Sequence, residues 1–157
     1  MSEDPEARLR NLGHELPAVP APAGAYVPAT RAGTLIFTAG QLPFEEGELE
    51  TTGKVGDAVS LEQAKRAARL CALNALAAAA AEAGSLNRIA RVVKVTGYVA
   101  SAPRFNRQPE VIDGASALVG EIFGSAGLHA RSAVGVAELP LDAPVEVELV
   151  VEPVASA

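Results

Sequence analysis

The stretch between Ser60 and Gly84 constrains this chain most, because it is a long run in which no residue breaks a helix. Ser60 can accept a backbone N–H three residues on while Gln63 reaches back to Ser60, a reciprocal cap that starts helices. Gly84 supplies the stop. The segment therefore predicts one helix from Leu61 to about Ala83. Ala64, Ala68, Cys71, Ala75 and Ala79 recur at three- and four-residue spacing, with Glu62, Arg66 and Arg69 off that stripe. So small a face brings the helix backbone close to its neighbour, and a sheet is the surface it fits. Its most apolar part, Leu70 to Ala81, is too short to span a bilayer and is interrupted by Asn74.

The remaining elements follow from turn and cap residues. Residues 5 to 13 predict a short helix, with Asp4 as N-cap, Pro5 in the first turn and Gly13 past the end. The prolines between Leu16 and Pro22 favour an extended arm, so 1–23 is read as helix plus arm and 24–157 as the domain. Tyr26-Val27 and Leu35 to Thr38 read as a first pair of strands turning at Ala32-Gly33, Gly40 to Pro43 closes the second, and Phe44 to Gly56 reads as a polar loop. Arg91 to Ser101 predicts a long central strand. A second helix, Pro109 to Phe123, has Val111, Ile112, Ala115, Leu118, Val119 and Ile122 as its apolar face and Gly124 as its end. Two last strands lie around the Leu139-Pro140 turn, within Ala130 to Glu148. Two main helices on one sheet make an α+β sandwich, and the uncovered sheet face points to subunits packing sheet to sheet.

Charge and composition remove several functions. Thirteen Lys and Arg against nineteen Asp and Glu give a net charge of −6, with the basic residues scattered, so no footprint for a phosphate backbone is present. The single Cys71 cannot form an internal disulfide and reads as a buried thiol, which fits a reducing cytoplasm. The acidic start Met1-Ser-Glu-Asp-Pro5 is unlike a signal peptide; neither export nor membrane anchoring is expected. His14 and His129 lie far apart in sequence, which gives no metal-ligand spacing. The glycines from Gly114 to Gly127 lack the ending of a phosphate loop, and Ser132 lacks partners for a hydrolase triad.

Arg131 and two carboxylates are left. In a regular strand Arg131 shares a face with Ala133, Gly135 and Ala137, so it has space beside it. A guanidinium next to a void can grip a small carboxylate through two parallel hydrogen bonds; the plain alternative is a solvated arginine on an edge strand. In Val145-Glu-Val-Glu-Leu149 both Glu146 and Glu148 face away from the apolar residues, as on any half-exposed strand.

The strand Leu35 to Thr38 leading into Ala39-Gly-Gln-Leu-Pro43, the strand around Val92 to Val99, and above all Ala130-Arg-Ser-Ala-Val-Gly-Val-Ala-Glu-Leu-Pro140 followed by Val145-Glu-Val-Glu148, together with Tyr26-Val27, resemble the reactive-intermediate deaminase (Rid, YjgF-like) family over roughly residues 24 to 152. The resemblance implies a chorismate-mutase-like α+β sandwich with a mixed sheet and two main helices on one face. It also implies a homotrimer whose sheets form a central barrel, with clefts between subunits. The implied reaction is cofactor-independent hydrolysis of 2-imino and enamine acids, such as 2-aminoacrylate, to a 2-oxo acid and ammonia. By motif, Arg131 would hold the substrate carboxylate and Glu146 would position or activate water, with Tyr26, Gly40, Ala133 and Asp113 around the ligand. Ala133 stands where many relatives have Cys and Ala39 where many have Ser, while Asp113 falls where relatives often place a cleft Asn and would repel a substrate carboxylate. The alternative is a trimeric small-acid-binding module without turnover. A ribonuclease role, a third tradition of the family, is disfavoured by the acidic charge.

Overall fold

The computed structural model describes residues 4–22 and 24–155. Helix α1 (Pro5–Asn11) begins where Asp4 accepts the Ala7 N–H at 2.7 Å. It packs on the domain through Leu9, which is 3% exposed, while Arg8 Nη1 donates to the Ile122 carbonyl at 3.3 Å. Helix α2 (Leu61–Ala83) carries the reciprocal cap: Gln63 N–H donates to Ser60 Oγ at 3.2 Å, Ser60 N–H donates to Gln63 Oε1 at 2.9 Å, and Gly84 ends it at φ 104°. Helix α3 spans Gln108–Phe123.

The main sheet is built from β1 (Ala29–Ala32), β2 (Leu35–Thr38), β5 (Ile89–Ala100), β6 (Ala130–Val136) and β7 (Val145–Pro153), in the order β1-β2-β7-β5-β6. A further two-stranded hairpin, β3 (Phe44–Glu45) and β4 (Glu48–Leu49), lies outside it. β5 and β6 run parallel and the other pairs antiparallel, so the sheet is mixed and the fold is α+β. Parallel neighbours need a crossover, and α3 is that crossover.

Alternation along β7 assigns the two faces. Val145, Val147, Leu149 and Val151 are buried on the face that packs against α2, and Glu146, Glu148, Val150 and Glu152 point the other way. Close approach is built in at two glycines. A Cβ at Gly97 of β5 would lie 2.5 and 2.9 Å from carbons of Ile112, and one at Gly114 of α3 would lie 2.9 Å from the Lys65 carbonyl carbon of α2. Among the described residues no helix lies over the opposite sheet face, which bears Phe37 and Val134, 40% and 45% exposed.

Three expectations differ from the structure. Tyr26-Val27 is not a strand: the two-residue Gly33-Thr34 turn pairs Ala32 with Leu35, so the ladder ends at Ala29 opposite Thr38, one further backbone bond runs from the Ala39 N–H to the Pro28 carbonyl at 2.8 Å, and Tyr26-Val27 lies in the bend before it. The loop from Phe44 to Gly56 contains the β3–β4 hairpin, whose two-residue strands are too short to show alternation in sequence. The last two strands are not neighbours, because β5 lies between β6 and β7.

Candidate active site

Glu146 sits on the open face, opposite Tyr98 of β5. Its place is set from behind by the chain that leaves β2. Gln41 exchanges two backbone hydrogen bonds with Val147, at 2.8 and 3.0 Å. Buried Asn74 of α2 donates through Nδ2 to the carbonyls of Leu42 and Phe44, both at 3.0 Å, so a polar group inside an alanine-rich helix is satisfied by pinning this turn. Gly40 is thereby held against the Glu146 side chain, where a Cβ would fall 2.8 Å from Cδ. Burial raises the pKa of half-buried Glu146 above the usual carboxylate value, and the charge of Glu148 raises it further. Glu148 accepts the Tyr98 hydroxyl at 3.1 Å, and Tyr98 in turn has its pKa raised by burial and by that bond.

Arg131 lies on the other face. β6 pairs Ala133 with Gly97, which is under Ile112, so Arg131 and Ala133 face α3. Arg131 Nη1 donates to Asp113 Oδ1 at 2.7 Å and to Ser116 Oγ at 3.2 Å. Ser116 Oγ is also 2.9 Å from His129 Nε2, and His129 Nδ1 is 2.6 Å from the Gly127 carbonyl. A carbonyl only accepts, so Nδ1 carries a proton, and the Ser116 oxygen accepts the arginine N–H while it hydrogen-bonds to Nε2. The guanidinium is therefore fixed by a continuous relay ending on backbone. Both of its bonds use Nη1, which leaves the Nε–Nη2 edge without a protein partner among the described residues.

The expected site residues thus fall into two groups. Arg131, Asp113 and Ala133 lie on the helix side, and Glu146 with Gly40 lies on the open side. Tyr26 joins neither, standing 53% exposed in the bend before β1. Asp113, read in sequence as a repulsive neighbour for a substrate carboxylate, is the ion-pair partner of Arg131. Sequence reading missed Ser116, His129 and Tyr98. The first two carried a signal, since Ser116 follows Asp113 by one helical turn and His129 precedes Arg131 by two residues in extended chain. Among the described residues no group of three or more His, Cys, Asp or Glu side chains is placed to hold a metal ion, and no helix is long and apolar enough to cross a membrane.

Residues 6–152 match the family described as "YjgF/chorismate_mutase-like, putative endoribonuclease". The chain belongs to this family. It is 43% identical over 147 residues to Protein TCP17 of Trypanosoma cruzi, covering 93% of this chain and 92% of that protein. The crystal structure of Atu1372 from Agrobacterium tumefaciens, a protein of unknown function, superposes with a TM-score of 0.88 at 47% identity, over 95% of this chain and 92% of that one. E. coli TdcF with bound serine superposes with a TM-score of 0.64 at 26% identity, over 88% and 94% of the two chains. Family membership supports an activity of the Rid/YjgF deaminase or endoribonuclease type.

Proposed function

We propose that this protein hydrolyses 2-imino acids, and enamine acids of the 2-aminoacrylate type after tautomerisation, to 2-oxo acids and ammonia without a cofactor. The observation that carries this reading is Glu146: a half-buried carboxylate with a raised pKa, held beside a glycine backbone. A base of that kind suits water attacking a carbon that is already electrophilic.

Arg131 and Glu146 leave opposite faces of one sheet, two strands apart, so a molecule of a few carbons cannot touch both within one subunit. The site is read as a cleft between copies in a homotrimer, with Arg131 from one subunit and Glu146 and Gly40 from its neighbour. The uncovered sheet face, with Phe37 and Val134 exposed, supports such packing. The free Nε–Nη2 edge of Arg131 takes the substrate carboxylate in two parallel bonds. Water adds to C2 of the protonated imine: the C–O bond forms, the C=N π pair moves to nitrogen, and Glu146 accepts the water proton. In the collapse Glu146 returns its proton to nitrogen and takes up the hydroxyl proton as C=O forms and C–N breaks, and that proton leaves with the released ammonia as ammonium. An RNA-cleaving reading has against it the net charge of −6 and the glutamates of the open face.

The test is ammonia release from freshly generated 2-iminopropanoate, with and without the protein. Wild-type protein accelerates it, and Glu146→Gln lowers the rate by about 10²–10⁴ while product-like 2-oxo acids still bind. Release no faster than the buffer rate would sink the proposal.

A further inference from the structure

Arg131 and Asp113 form an ion pair whose outer edges are both open. Nη1 and Oδ1 are used at 2.7 Å, while Nε and Nη2 of the arginine and Oδ2 of the aspartate make no hydrogen bond among the described residues. The Asp113 side chain is 59% exposed and that of Arg131 24%. Neither member is loosely placed. Gly114, next to Asp113, seats α3 against the Lys65 carbonyl, and the Ser116–His129 relay holds the guanidinium from the far side.

A ligand that brings only a carboxylate to Arg131 meets Asp113 as a second anion on the same guanidinium. A ligand with a cationic nitrogen next to its carboxylate meets a complementary pair. Resting on the function proposed above, we propose that Asp113 makes the site selective for acids bearing a protonated nitrogen beside the carboxylate. These are protonated 2-imino acids and, among stable molecules, α-amino acid zwitterions, in preference to 2-oxo acids. Two consequences follow for the reaction. The nitrogen is kept in the protonated form that water attacks, and the product, which has lost that nitrogen, is held less tightly at the anchor once ammonia has left. Asp113 then acts as a specificity residue that distinguishes substrate from product by charge.

The experiment titrates L-alanine and pyruvate, which share a carbon skeleton, into the full-length wild-type protein and the Asp113→Asn and Arg131→Met variants, with binding read by calorimetry or ligand-observed NMR. Wild type is expected to bind alanine about tenfold or more tightly than pyruvate, the discrimination a single charge can make at a half-exposed site. Asp113→Asn should weaken alanine and tighten pyruvate, each by about tenfold. An unchanged alanine-to-pyruvate ratio in Asp113→Asn, with both ligands lost in Arg131→Met, would overturn the inference and leave Arg131 as the anchor. Binding of both ligands to Arg131→Met as tightly as to wild type, or of neither to wild type at millimolar concentration, would overturn the anchor and the inference with it.

Discussion

Replacing Gly40 by alanine asks whether the Glu146 carboxylate must sit where it does. The new Cβ would fall 2.8 Å from Cδ and 3.1 Å from Cγ of Glu146, and closer still to Oε1. Comfortable contact is about 3.5–4.0 Å, so one partner must retreat by roughly 1 Å. The backbone at position 40 has little freedom, with Gln41 doubly bonded to Val147 and Asn74 holding the Leu42 and Phe44 carbonyls. The glutamate, free-ended and facing an uncovered surface, is what moves. A displacement of about 1 Å at a reacting group costs on the order of 10²-fold in rate. Relief by a flexible side chain keeps the stability loss near 1 kcal/mol, the low end of overpacking. Ammonia release and a thermal melt on the same preparation separate the two effects. If Gly40 acts only through Glu146, adding Gly40→Ala to Glu146→Gln costs nothing more. Turnover of Gly40→Ala within a factor of two of wild type would refute the reasoning, and a full additive loss in the double variant would show that position 40 has a role of its own.

Glu146 also sets a stability trade. Its pKa is raised in the fold by burial and by Glu148, so its contribution favours the protonated form: it is present below the ordinary carboxylate range and lost as pH rises through the raised value. Glu146→Gln is therefore expected to melt a few degrees higher than wild type at pH 7, with the difference vanishing at pH 4, as read by calorimetry. Glu148→Gln removes the charge that helps hold the Glu146 pKa up, so the acid limb of the kcat/KM profile should move to lower pH; a limb that stays in place would exclude Glu146 as its source.

Elements with chemical punctuation were legible in the sequence. The Ser60–Gln63 box and Gly84 gave α2 its observed bounds, and Gly124 gave α3 its end. The bounds of β1 were not, because they depend on how far β2 offers a partner rather than on Tyr26 and Val27 themselves. At the site, the alternation that faces Glu146 away from the core could be read residue by residue. The assignment of Arg131 to the opposite face could not, since it depends on β5 lying between β6 and β7 in a mixed sheet. Nor was the Asp113 ion pair legible, because it joins a helix and a strand that only tertiary packing brings together.

The opposite-face placement of Arg131 and Glu146 has a genetic consequence. In the homotrimer proposed above, a copy that has lost Arg131 still presents an intact Glu146 to its neighbour, and a copy that has lost Glu146 still presents an intact arginine. In randomly mixed cyclic trimers of two such alleles, about one cleft in four receives both wild-type groups. Two alleles that are each silent alone would then rescue one another in the same cell, while each would also inactivate clefts it shares with wild-type copies.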